Sequence, residues 1–150
     1  MISARPFRHL LVVLGLAAAA ALSACAETPS GPSSGAPYSQ VDLRLGSGTE
    51  GVTGKSVVVN YTGWLYDPTK TDGKGIQFDS SIGQTPLTFT IGTGEVIQGF
   101  DRGVTGMKVG GARRIVVPPS LGYGAVRNNS IPPFATLVFE IELIEVAETQ

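Results

Sequence analysis

Glu95-Val96-Ile97-Gln98-Gly99-Phe100-Asp101-Arg102-Gly103-Val104-Thr105-Gly106-Met107 is the one stretch in which apolar residues recur at a helical spacing rather than a strand spacing. Val96, Ile97, Phe100, Val104 and Met107 fall close to a 3.6-residue period, which predicts one short helix over about 95–104. Gly99 and Gly103 each weaken such a helix by about 1 kcal/mol relative to alanine, so it has to be held by packing.

On both sides of this segment the period is two. Val41, Leu43 and Leu45 alternate with Asp42 and Arg44, the pattern of a strand with one wet face. Lys55 to Tyr66 alternates at greater length, with Val57, Val59, Tyr61 and Leu65 on one face and Val58, Asn60, Thr62 and Trp64 on the other. Leu87, Phe89 and Ile91 alternate with Thr88 and Thr90, and Ala112 to Val117 is rich in β-branched residues until Pro118-Pro119 stops it. Thr136 to Val146 sets Leu137, Phe139, Ile141 and Leu143 against Glu140 and Glu142. Five or so strands and one glycine-bearing helix give an α+β fold, an antiparallel sheet covering a helix in a domain of about 110 residues.

Composition narrows the chemistry. The chain has 150 residues, 11 basic and 12 acidic side chains, 42% apolar and 15% charged residues, and a net charge of −1. It can therefore bury a core, and its charge gives no reason to expect nucleic acid as a partner. A single cysteine excludes a disulfide framework and a cysteine-built zinc site. His9 is the only histidine and falls in a segment read below as a cleaved leader, which excludes histidine triads and histidine metal sites. No cofactor is expected.

Residues 1–24 read as an export signal, with Arg5 and Arg8 ahead of an apolar or glycine run from Leu10 to Leu22. That run falls short of the roughly 20 residues needed to cross a bilayer core, so a membrane span is the weaker reading. Leu22-Ser23-Ala24-Cys25 resembles the bacterial lipobox, in which the cysteine is acylated and becomes the mature N-terminus. The alternative is ordinary secretory cleavage near Ala24 or Ala26, leaving a free thiol. Lipidation at Cys25 would place the protein on a membrane of the cell envelope without crossing it. Ala26, where aspartate would resemble an inner-membrane retention signal, favours the outer membrane if the host has one. Residues 25–38 continue with prolines, glycines and serines and read as a tether, leaving 39–150 as the folded domain.

Three motif matches fail on context. Gly54-Lys55-Ser56 lacks the phosphate-loop glycine five residues earlier and precedes a strand instead of a helix. Gly92-Thr93-Gly94 lacks the third glycine of a dinucleotide site. The sequons Asn60-Tyr61-Thr62 and Asn128-Asn129-Ser130 read as chance, the first being mid-strand. What remains is a group of aromatics beside turns or the helix: Tyr61, Phe78, Phe100 and Tyr123. With Val96, Ile97, Ile131 and Phe139, these residues would suit one concave apolar site, or simply a core.

The order of five blocks is distinctive: Val58-Val59-Asn60-Tyr61-Thr62-Gly63, Phe78-Asp79-Ser80-Ser81, Gly94-Glu95-Val96-Ile97-Gln98-Gly99-Phe100, Gly122-Tyr123-Gly124, and Ile131-Pro132-Pro133 with Ala135-Thr136-Leu137-Val138-Phe139-Glu140. Over about residues 40–147 the chain closely resembles the FKBP-type peptidyl-prolyl cis-trans isomerases. The resemblance implies a five- or six-stranded antiparallel half-barrel wrapped around one short helix, with a hydrophobic pocket for a proline ring. It places Tyr61, Phe78, Asp79, Val96, Ile97, Phe100, Tyr123, Ile131 and Phe139 at pocket positions. It further implies that the Ile97 backbone N–H and the Tyr123 hydroxyl donate to ligand carbonyls, and that Phe100 forms the floor. Proline-containing polypeptides are the implied partners, macrolides the implied inhibitors, and a monomer the expected state.

Several positions depart from the family pattern. Phe100 stands where tryptophan is common and Leu87, on one wall, where phenylalanine is common. Ile82-Gly83-Gln84 offers no arginine to pair with Asp79, the loop from Asp67 to Gly75 is long, and Arg127-Asn128-Asn129-Ser130 replaces the usual residues of the loop over the pocket. The expected activity is isomerisation of X-Pro bonds in exported proteins. The alternative is a proline-peptide-binding chaperone module with little turnover, which the substitutions at Phe100 and Leu87 keep open.

Overall fold

The computed structural model describes residues 35–147. The leader, most of the tether and Cys25 therefore lie outside the described residues. Six strands form one antiparallel sheet: β1 (Ser39–Arg44), β2 (Ser56–Tyr66), β3 (Lys74–Ser80), β4 (Leu87–Thr90), β5 (Ala112–Val117) and β6 (Leu137–Val146). A single helix, α1 (Gln98–Val104), falls between β4 and β5, and a 3-10 turn spans Pro119–Leu121. The sheet order is β1-β5-β6-β2-β3, with β4 also pairing β2. β2 is long enough to serve two partners along one edge, β4 beside Ser56–Val59 and β3 beside Thr62–Tyr66, while β6 follows its other edge.

Alternation in β6 and β5 supplies most of the core. Leu137, Phe139, Ile141 and Leu143 point inward from β6, and Ile115 and Val117 from β5, to meet Val57 and Val59 of β2 and Val104 of α1. Glu140 faces the other way, where Arg114 donates to it at 2.7 Å and Lys74 at 3.0 Å. Burial resists ionisation of Glu140, but these two cations outweigh it and hold its pKa below the usual value.

The helix lies against β5 and β6, and its two glycines are what permit it to do so. A Cβ at Gly99 would stand 2.4 Å from Val117 Cγ1, and one at Gly103 would stand 2.9 Å from Ile115 Cδ1. Helix propensity is sacrificed here for close approach of the helix backbone to the sheet. The ends of α1 are tied down separately. Gly92 N–H donates to both carboxylate oxygens of Asp101 at 3.0 Å. Arg113, buried under β1, donates to Gly103 O at 2.9 Å, Thr105 O at 3.3 Å and Asp42 Oδ1 at 2.6 Å.

The structure corrects three of the sequence expectations. The helix begins at Gln98 instead of 95, because Glu95 is held in the preceding turn by Thr90 N–H at 3.1 Å and the Thr93 hydroxyl at 2.8 Å, and Ile97 has ψ 147°. The apolar residues of β1 do not enter the core: every residue of that strand is exposed, Val41 by 60%. β1 pairs only with β5 at the margin of the sheet, and its side chains stay open to solvent. Lys74–Ser80 is a strand that the residue pattern did not announce. Glycine interrupts it at Gly75, and its aliphatic residue Ile76 points into solvent.

Candidate active site

The inner ends of β2, β3, β4 and β6, the turn before α1 and the segment after the 3-10 turn enclose a hollow of about 380 Å³. Gly63 explains how two of its rings reach their positions. A Cβ there would come within 2.6 Å of Phe78 Cζ and 2.9 Å of Phe139 Cε1, so only a glycine lets both rings lie against β2. Phe139 then meets Phe78 edge-on with centroids 5.6 Å apart and Phe100 edge-on at 5.3 Å. Tyr61 meets Phe100 at 5.6 Å, also edge-on. Each ring presents its positive edge to its neighbour's negative face, which fixes ring orientation as well as burying area. Phe100 is 3% exposed and is backed from behind by Phe89 at 5.9 Å.

Nine of the ten residues expected at the pocket line this hollow together: Tyr61, Phe78, Asp79, Leu87, Val96, Ile97, Phe100, Tyr123 and Phe139. The tenth, Ile131, stands beside it. It is buried behind the loop that follows Tyr123 and lines a separate, smaller hollow that shares Phe78, Asp79 and Tyr123 with the first. The tight turn at Asn128–Ile131 is closed by Ile131 N–H to Asn128 O at 2.7 Å and Asn128 N–H to Ile131 O at 3.1 Å. Gly94 and Glu95 also line the main hollow and were not anticipated. Their place in the turn immediately before Val96-Ile97 is the signal that would have found them. Phe89, reading as ordinary strand core, gave no such signal.

Asp79 needs no arginine. The Tyr61 hydroxyl donates to its Oδ2 at 2.5 Å, and the Ser80 N–H donates to Oδ1 at 2.8 Å. Burial raises the pKa of Tyr61 well above the ordinary tyrosine value, and the hydrogen bond and negative charge of Asp79 raise it further. Tyr61 is accordingly a neutral donor at physiological pH. Ile97 is the N-cap of α1, and its carbonyl receives Phe100 and Asp101 N–H at 3.0 and 3.1 Å, whereas its own N–H precedes the helix ladder. Among the described residues no group of three or more histidine, cysteine or acidic side chains is arranged to hold a metal ion.

An open antiparallel sheet clasping one short helix, with a ring-lined hollow and a neutral tyrosine–carboxylate pair on its wall, defines a small α+β domain built around one apolar site. Residues 48–144 match the family of FKBP-type peptidyl-prolyl cis-trans isomerases, and the chain belongs to that family. It is 50% identical over 109 residues to the FK506-binding protein of Neisseria meningitidis serogroup B, covering 71% of this chain and 94% of that one. It is 43% identical over 108 residues to FK506-binding protein 1 of Aspergillus oryzae, covering 69% and 93%. Among solved structures, AtFKBP13 superposes with a TM-score of 0.60 at 38% identity over 73% of this chain and 93% of the other. FkpA from Escherichia coli gives 0.62 at 36% identity, over 75% of this chain and 49% of that longer one. The protein is a peptidyl-prolyl cis-trans isomerase, an enzyme that accelerates rotation about the bond preceding proline.

Proposed function

We propose that the 380 Å³ hollow receives the proline ring and that Phe78, Phe100 and Phe139 strip water from it while the X-Pro amide turns. Amide rotation faces a barrier of about 18–20 kcal/mol because resonance gives the C–N bond partial double-bond character. The isomers of an X-Pro bond differ by only about 0.5–1 kcal/mol, so the obstacle is the barrier and not the equilibrium. As the bond twists, conjugation is lost and the amide becomes less polar. Transfer from water into an apolar cavity therefore favours the twisted form over the planar one, and only such differential stabilisation accelerates the step. A 10⁶-fold gain corresponds to about 8 kcal/mol.

In this reading Val96, Leu87 and Ile97 complete the apolar wall, the Ile97 N–H and the Tyr123 hydroxyl donate to flanking carbonyls, and Asp79 orients the amide through its pair with Tyr61. No bond breaks, so no nucleophile and no proton relay is required. The observation that carries the reading is Phe139 standing edge-on to both Phe78 and Phe100 around one open hollow. Tyr123→Phe and Phe139→Ala test it in a prolyl isomerisation assay: both should lower kcat/KM, and unchanged values in both would refute it.

The setting follows from the leader chemistry. Acylation of Cys25 would tether the domain to the bacterial cell envelope, each buried methylene contributing about 0.8 kcal/mol. The clients would then be exported proline-containing polypeptides, met by a monomer, and an FK506-like macrolide would compete for the same hollow. Mass spectrometry of the membrane-extracted protein decides the anchor, which requires a diacylglyceryl adduct on Cys25.

A further inference from the structure

β2 changes partners along one of its edges. β4 pairs with it as far as Val59 and β3 takes over at Thr62, so Asn60 and Tyr61 fall in a gap between two ladders. On the opposite edge β6 pairs with both residues. In an antiparallel sheet the N–H and C=O of one residue point to the same edge, and those of Tyr61 point into the gap, where neither β3 nor β4 reaches.

Ser81 fills that gap. Tyr61 N–H donates to Ser81 Oγ at 2.9 Å, and Ser81 N–H donates to Tyr61 O at 2.9 Å, so one serine takes the place of a strand residue. The Ser81 hydroxyl gives its own proton to Asn60 Oδ1 at 3.1 Å, nearer than Tyr61 O at 3.5 Å, which leaves its lone pairs for Tyr61 N–H. Ser81 is only 5% exposed, so water has little access to substitute for that hydroxyl. The neighbouring Ser80 does not duplicate the contact. Its Oγ lies 2.9 Å from Thr62 Oγ1 and donates to Tyr61 O at 3.3 Å, the carbonyl alone.

Two residues before Ser81, Asp79 accepts the Tyr61 hydroxyl. The segment Asp79–Ser81 therefore holds Tyr61 at both ends, phenol and backbone. Ser81 itself does not line the prolyl hollow. We propose that Ser81 is a positioning residue for prolyl isomerisation: its hydroxyl fixes the Tyr61 backbone, so that the phenol meets Asp79 at the wall of the hollow. The proposal rests on Tyr61 acting at that hollow. Asn60 assists by orienting the Ser81 hydroxyl.

The experiment compares Ser81→Ala, the milder Asn60→Ala, and Val146→Ala as a destabilised control in the core opposite Val57. Each is made with and without Tyr61→Phe, and kcat/KM is measured on a Leu-Pro peptide at a temperature where every variant is folded. Ser81→Ala should lower kcat/KM by about fivefold, and the loss caused by Tyr61→Phe should shrink by about half or more in its presence. Asn60→Ala should move both quantities in the same direction by less. Val146→Ala should leave the Tyr61→Phe loss as it is in the wild type. A second readout needs no turnover: carbon-13 NMR of the labelled tyrosine rings should show Tyr61 titrating at a lower pH in Ser81→Ala than in the wild type, and unmoved in Val146→Ala. Ser81→Ala with kcat/KM within about twofold of the wild type overturns the proposal. So does a loss of turnover that leaves both the Tyr61→Phe effect and the ring titration unchanged, since Ser81 would then support the fold and not Tyr61. Wild-type turnover insensitive to Tyr61→Phe would instead strike at Tyr61 acting at the prolyl hollow, and the ring titration then decides the role of Ser81 by itself.

Discussion

The Tyr61 hydroxyl and Asp79 Oδ2 stand 2.5 Å apart, joining β2 to β3 across the wall of the prolyl hollow. Among the described residues no salt bridge engages Asp79, so its one side-chain partner is the neutral Tyr61 hydroxyl and the pair acts as a unit. Tyr61→Phe and Asp79→Ala should each lower kcat/KM, and the double variant should lose no more than the worse single one. A double-mutant cycle on a short X-Pro peptide checks this, with a coupling energy of about 1–3 kcal/mol expected. Strictly additive losses would mean that the two groups act independently.

The same pair sets a pH dependence. The pKa of Tyr61 is raised in the folded protein, so the stability it contributes is fully present below the unfolded tyrosine pKa and is lost only as pH rises toward the folded value. The difference in denaturation midpoint between the wild type and Tyr61→Phe should be constant from pH 6 to about 9.5 and shrink above about 10. Parallel urea titrations of both proteins measure it. A difference that vanishes between pH 7 and 9 would show that the hydroxyl ionises far too early for this environment.

Gly99→Ala should destabilise the protein by about 1–3 kcal/mol although alanine is the better helix former, because the added methyl overlaps Val117. Since Phe100 is the next residue, the displaced helix should also lower kcat/KM. The companion variant Gly99→Ala/Val117→Ala relieves the overlap and should recover part of the lost activity. If Gly99→Ala alone were stabilising, helix propensity and not close packing would govern this position.

How much of this was legible in the sequence varies from residue to residue. The long alternations of β2 and β6 carried their burial pattern openly, because each strand has neighbours on both edges and one covered face. Val41 and Leu43 alternate just as well yet remain exposed, since period two records which residues share a face and not whether anything covers it. The start of α1 was misplaced because a carboxylate, Glu95, was bonded to the preceding turn, a contact that a periodicity cannot see. Within the site, the block order pointed to eight of the lining residues and the comparison with the family pattern to Leu87, whereas Gly94 and Glu95 were not singled out because the turn before α1 leaves no periodicity to read. The partner of Asp79 was hidden for a related reason. Eighteen positions separate it from Tyr61, and only strand pairing brings them together.

Desolvation of the rotating amide is the physical core of the proposed mechanism, and Leu87 gives the cleanest access to it. It lines the hollow but is only half-buried, so its replacement disturbs the core less than any change at Phe100 or Phe139. Leu87→Asn keeps nearly the same size while bringing a polar group to the wall, and Leu87→Met keeps the wall apolar. The decisive measurement is kcat/KM for one Leu-Pro peptide with both variants, at matched stability. Leu87→Met should stay within about twofold of the wild type and Leu87→Asn should fall about tenfold or more, equivalent to about 1.4 kcal/mol of transition-state stabilisation. Equal turnover by the two variants would contradict an apolar cavity as the source of the rate.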